Sequence, residues 1–231
     1  MENNKNGAIN RRISGTIAYW GPNNRNVGRE IFDLFFHKGG TTFRAFCEMG
    51  SIDLLRDVTM AFTHNWQPID GFCRITQAGR VVANNWFLFE SEKVSVESTL
   101  LDTGKIKQQF CNIKPFKYLG LHPLQGDALI TTQVNKSSPG QYIRIKGITN
   151  SLSENGDNGL TAMPVDIDVA YLGNESLTVA AGRFNARKYA LRWQPDWPPA
   201  YVWVKEEDAV FLKMTWEKID NWYELTSLEG S

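Results

Sequence analysis

The sequence predicts an all-β fold, an antiparallel meander curled into a barrel or half-barrel, and three observations predict it. From Asp57 to Phe110, β-prone runs follow one another with only hairpin-length breaks between them. These runs alternate apolar and polar residues with period two, so each presents one face to a core. The 13 Phe, 8 Trp and 7 Tyr supply the ring surface that fills a curled sheet or lines a cavity for a flat apolar ligand.

The meander is read as strands over Asp57–Trp66, Phe72–Thr76, Arg80–Phe89, Val94–Leu101 and Lys105–Phe110. The breaks contain Pro68-Ile69-Asp70-Gly71, Ala78-Gly79, Ser91-Glu92 and Asp102-Thr103-Gly104. In them Pro fixes φ, Gly supplies positive φ, and Asp or Ser bonds its own backbone. Asn84-Asn85, poor strand formers in the middle of a long run, predict a bulge or bend. Upstream, residues 1–14 are polar and are expected as a poorly ordered tail, with residues 15–231 forming a single domain. Thr16–Trp20 is a first strand, and Glu30–His37 and Thr41–Met49 form a hairpin across Lys38-Gly39-Gly40.

Between Cys111 and Asp127 the alternation stops. The segment holds too much Pro and Gly for a long helix and too many large apolar residues for a solvated linker. It predicts an irregular crossover, with room for one helical turn, packed on or across the mouth of the sheet. Strands resume over Ala128–Asn135, Gln141–Ile148, Val165–Leu172, Ser176–Ala180, Arg183–Trp193, Ala200–Lys205, Ala209–Thr215 and Asn221–Leu228, with a polar loop over Asn150–Gly159 and a proline-stiffened tip at Asp196-Trp197-Pro198-Pro199.

The run Leu177–Tyr189, with its Ala181-Gly182-Arg183-Phe184-Asn185-Ala186 turn, followed by Tyr201–Val204, Val210–Met214 and Tyr223–Leu228, resembles the closing half of a bacterial family of β-barrel domains of unknown function. That family is related in fold to the periplasmic lipoprotein carriers, which hold acyl chains in a half-open barrel. The resemblance lies mainly in the C-terminal part. It implies a lipocalin-like or lipoprotein-carrier-like barrel that encloses a hydrophobic ligand. Members of the family are typically exported, whereas the polar stretch Met1–Gly7 and Arg11-Arg12 contain no apolar run of signal-peptide length. A cytoplasmic location is therefore expected, and a role in lipoprotein traffic is not.

Charge narrows the partners. The 25 basic and 25 acidic residues balance, and no Lys/Arg cluster is long enough to track a phosphate backbone, so nucleic acid is not expected. No segment has the roughly 20 apolar residues of a membrane helix, and no membrane partner is expected. A homodimer is left open. Cys47, Cys73 and Cys111 are expected as free thiols. With 3 His in all and no ligand-spaced pair, no metal is expected, and the absence of phosphate-loop, nucleophile-elbow and dinucleotide patterns predicts a protein without cofactors.

The candidate chemistry rests on few polar groups. His122 lies in Gly120-Leu121-His122-Pro123-Leu124-Gln125-Gly126-Asp127. Pro123 should hold its backbone extended, and Asp127 is close enough along a compact loop to orient the imidazole as a general base. The alternative is a turn-capping His and a structural Asp. His64, at a strand end, either reaches the mouth or marks an exposed terminus. Arg56 and Arg74, on faces that otherwise carry apolar side chains, and Arg44 on a mixed face, either join internal ion pairs or hold a ligand's anionic group. Trp86, Trp197 and Trp203 are candidate ligand-binding rings, Trp197 above all because it sits on a stiff loop tip. Two functions fit: a cofactor-independent lyase or isomerase acting by His-based acid/base chemistry on a hydrophobic or aromatic small molecule, or a carrier for such a ligand with no chemistry.

Overall fold

The computed structural model describes residues 9–230 of the 231-residue chain. Strands β1 (Ile9–Trp20), β2 (Asn26–His37), β3 (Gly40–Met49), β4 (Leu54–Phe62), β5 (Pro68–Gln77), β6 (Arg80–Phe89), β7 (Lys93–Leu100) and β8 (Gly104–Cys111) each pair antiparallel with the next. After a three-residue strand β9 (Tyr118–Gly120), a second meander runs through β10 (Tyr142–Thr149), β11 (Met163–Val179), β12 (Gly182–Arg192), β13 (Ala200–Lys205), β14 (Phe211–Trp216) and β15 (Asn221–Glu229). The pairing of β1 with β15 joins the two meanders into one 15-stranded sheet in the order β8-β7-β6-β5-β4-β3-β2-β1-β15-β14-β13-β12-β11-β10-β9. The β9–β10 pair is parallel and all the others are antiparallel. No main-chain ladder joins β8 to β9 among the described residues, so the sheet is curled but not closed.

Alternation explains the core. In β4, Leu54, Arg56, Val58, Met60 and Phe62 are buried on the inner face, and in β2 Glu30, Phe32 and Leu34 are. Across the opening of the sheet, side chains do what a ladder would. Gln108 of β8 donates to the Ala162 carbonyl at 2.9 Å and accepts from its N–H at 3.0 Å. Asn85 of β6 donates to Ser98 and to the Leu160 carbonyl at 2.9 and 2.8 Å, and accepts from Asn150 at 2.9 Å.

Several expected boundaries move. Residues 9–14 are strand, with Arg12, Ile13 and Ser14 facing Phe35, Leu34 and Asp33; residues 1–8 lie outside the described residues. The strand expected to reach Trp66 stops at Phe62, because Thr63–Gln67 closes a turn in which the Thr63 N–H donates to the Gln67 carbonyl. Asn84 and Asn85 stay in register with Arg74 and Cys73, and the slip falls instead between Ile75 and Thr76. The strands expected at Val165–Leu172 and Ser176–Ala180 are one, bent where the register shifts between Tyr171 and Gly173.

The largest correction concerns the segment after the crossover. The strand expected over Ala128–Asn135 is a helical plug: α1 (Leu124–Ala128) continues into a 3-10 helix, Leu129–Gln133, and their apolar residues are buried inside the curl. The plug is wired to both meanders. Glu30 of β2 accepts from the Leu124 and Gln125 N–H groups at 2.6 and 3.0 Å, satisfying donors that a helix start leaves unpaired. The Gln125 side chain accepts from Phe211 N–H at 2.8 Å and donates to the Ala209 carbonyl at 3.2 Å. Gly126 permits the close approach, since a Cβ there would stand 2.8 Å from Met60 Cε. Cys47, Cys73 and Cys111 are all unbridged, the first two buried and the third exposed.

Candidate functional site

At one end of the curl the plug leaves a cavity partly open to solvent. Its wall comes from β1, β3, β4, β9, β10, β11, β14 and β15, from α1, from the loop over residues 150–159, and from the segment that joins β12 to β13. Trp193, Trp197, Trp216, Tyr118 and Tyr223 ring it, and Leu124, Val165, Ile167 and Met214 add apolar surface. Trp197 packs on Trp216 with ring centroids 5.5 Å apart, and the Trp216 indole donates to the Pro198 carbonyl at 3.1 Å. The stiff loop tip is thus a wall of the cavity mouth.

Arg56, inward on β4 and 2% exposed, lies on this wall. Its Nη2 donates to the Asn155 and Gly156 carbonyls at 2.8 and 3.0 Å, while its Nε is buried without a partner. His122 also lines the cavity, but the expected His122–Asp127 pairing is not formed. The Tyr118 hydroxyl donates to Asp127 Oδ1 at 2.6 Å, and His122 Nε2 is buried without a partner. The His122 backbone is not extended either: its φ of 72° is on the left-handed side, which a non-glycine residue adopts only when its surroundings hold it there.

Burial sets the charges of this interior. It drives His122 down to about 3, with the Arg56 guanidinium pushing the same way and a Ser151 backbone contact opposing. The imidazole is therefore neutral at neutral pH and a weak base. Burial drives Asp127 up to about 7, against the Tyr118 hydrogen bond and with the nearby Glu30 carboxyl adding to the rise. Glu30 is also pushed up to about 7 by burial, against the hydrogen bonds from Gln125, Leu124 and Tyr19. A carboxyl that titrates near neutrality can give or take a proton there. The acid/base capacity of this cavity thus sits on Asp127 with Tyr118, whereas the sequence pointed to His122.

The remaining sequence candidates lie elsewhere. His64 is in the exposed turn after β4, its Nε2 2.9 Å from the Lys38 carbonyl oxygen. Arg74 points outward, donates to Asn84 Oδ1 at 3.1 Å and lies over Phe72, because the inner face of β5 belongs to Cys73 and Ile75. Arg44 is exposed on β3. Trp86 is 46% exposed on the outer face of β6. Trp203 is buried outside the cavity, its indole donating to Glu175 and its ring under Lys188. Sequence reasoning missed Tyr118, Glu30, Trp193 and Trp216. Glu30 carried a usable signal, since it shares its period-two face with Phe32 and Leu34.

No protein-family model matches this chain, and no curated protein does. Among solved structures it is similar to a beta-barrel-like protein of the domain of unknown function DUF1849 from Brucella abortus, at 10% identity and a TM-score of 0.59, covering 96% of this chain and 98% of that one. A DUF1089 family protein from Pseudomonas aeruginosa aligns at 9% identity and a TM-score of 0.48, over 82% and 90% of the two chains. At these identities the likeness concerns the fold alone, and the first of the two carries it.

Proposed function

We propose that the mouth cavity binds one small hydrophobic or aromatic molecule and that the Asp127–Tyr118 pair moves a proton on it, making the protein a cofactor-independent lyase or isomerase. The observation that supports this is a carboxyl held near neutrality by burial, bonded to a phenol at 2.6 Å, on the wall of an aromatic cavity. Asp127 takes the proton as carboxylate and returns it as acid. The Tyr118 hydroxyl steadies the ionised form. Trp193, Trp197 and Trp216 offer faces on which a flat ligand stacks.

The second reading is carriage without turnover, favoured by the apolar remainder of the wall, Leu124, Val165, Ile167 and Met214. One experiment separates the two. Small aromatic and aliphatic compounds that bind, found through quenching of the cavity tryptophans, are incubated with the protein in D₂O. Deuterium entering a carbon position of a bound compound, and not doing so with Asp127→Asn, is the result expected of proton transfer. Tight binding across the set with no exchange and no product leaves carriage as the function.

A further inference from the structure

We propose that Arg56, with His122 beside it, is the seat of a single carboxylate, so that the ligand class of the cavity is an apolar or aromatic molecule bearing one carboxylate head. The head enters by displacing the Asn155 and Gly156 carbonyls from the guanidinium. This deepens the reading of the mouth cavity as a ligand site and rests on it.

A buried charge stands here without an ion-pair partner. Arg56 is 2% exposed, and its only polar partners through Nη2 are two backbone carbonyls. No carboxylate stands within ion-pair distance of it among the described residues, and its buried Nε has no partner at all. Carbonyl dipoles orient a guanidinium but do not neutralise it, and a buried cation calls for an anion. The interior carboxyls are committed elsewhere: Glu30 to the start of α1 and to Tyr19, Asp127 to Tyr118.

A second unpartnered group adjoins the first. A Cβ built on Gly156 would stand 2.5 Å from His122 Cδ2 and 2.8 Å from Arg56 Nη2, so the imidazole edge and the guanidinium flank the same piece of loop backbone. Nε2, the next ring atom to Cδ2, is the orphan. With φ of 65° and no room for a side chain, position 156 admits only glycine, and its main chain fills the space where an anion would lie.

The loop is bonded to itself, through Ser151 Oγ to the Asn158 carbonyl at 2.6 Å and Ser153 Oγ to Asp157 Oδ1 at 2.7 Å, so it lifts as a piece once the two contacts to Arg56 are exchanged and the Glu154–Lys218 ion pair at 3.5 Å is released. A guanidinium edge matches a carboxylate through two parallel N–H donors. One cation balances one negative charge, which selects a monoanion over the dianion of a phosphate monoester. The body of the ligand then lies against the tryptophans at the mouth.

The test uses the 231-residue chain and a matched pair of probes, phenylbutyrate and its neutral amide phenylbutyramide, titrated calorimetrically at constant ionic strength. The acid should bind at least about tenfold more tightly than the amide. Arg56→Gln, which removes the charge, should erase most of that preference. In the wild-type protein, hydrogen exchange over residues 153–159 should rise when the acid binds. Equal affinity of acid and amide would overturn the carboxylate seat and leave the cavity reading standing, whereas binding of neither would overturn both. A preference for the acid with no change in loop exchange would place the anion away from Arg56 and overturn the proposal, even if Arg56→Gln proved too unstable to measure.

Discussion

The Tyr118 hydroxyl donates to Asp127, and burial beside Arg56 leaves the His122 imidazole neutral. If Asp127 is the base, the pH profile of kcat/KM for a turned-over compound rises through an inflection near 7. The Tyr118 hydrogen bond holds that carboxyl down, so Tyr118→Phe should move the inflection to higher pH, and Asp127→Asn should lower kcat by roughly 10²–10⁴-fold. A wild-type profile flat between pH 5 and pH 9 would exclude this assignment. What was legible at this scale was direction. Arg56 alternates with Val58, Met60 and Phe62 and does point inward. Arg74 misled because Phe72 shares its face, and that ring sits outside under the guanidinium.

The meanders were readable as elements because a strand with one buried face must alternate, and hairpin-length breaks leave few other ways to pair the runs. The Arg80–Phe89 and Ala200–Lys205 strands stand where the alternation put them. The plug was not readable. Ile130, Thr131, Thr132 and Val134 favour strand by propensity, but the segment pairs with neither edge of the sheet, β8 or β9, and a backbone buried inside the curl must satisfy its own polar groups by turning on itself. Glu30 anchors that plug through the two α1 donors and also accepts from the Tyr19 hydroxyl and the Cys47 thiol. Glu30→Ala should leave them buried without an acceptor and cost about 3–5 kcal/mol in urea unfolding, and Glu30→Gln, which keeps one acceptor oxygen, clearly less. Equal losses in the two variants would mean that Glu30 matters for its volume and not for its oxygens.

For the whole molecule, three buried groups set the dependence of stability on pH. Glu30 and Asp127, raised from 4.5 and 3.8 to about 7, hold protons in the folded state that the unfolded chain releases, so their contribution is full below the ordinary carboxylate range and is lost as pH rises toward 7. His122, lowered from 6.5 to about 3, contributes above 6.5 and loses that contribution as pH falls toward 3. Between the ordinary carboxylate values and 6.5, two protons favour folding and one opposes it. Unfolding free energy from these groups should therefore fall by about 1.4 kcal/mol per pH unit across that window. Chemical denaturation at stepped pH from 4.5 to 7.5 measures it, and stability that climbs through the window would contradict these assignments. The seam at β8 has a different consequence. A barrel closed by a ladder has a circumference fixed by its strand count and stagger. Here a few amide side chains, Gln108 and Asn85 foremost, hold the last gap, and each such bond is worth only about 1 kcal/mol. The molecule is a split ring with a clasp, and the seam can part at the expense of a few side-chain hydrogen bonds with every strand pair intact.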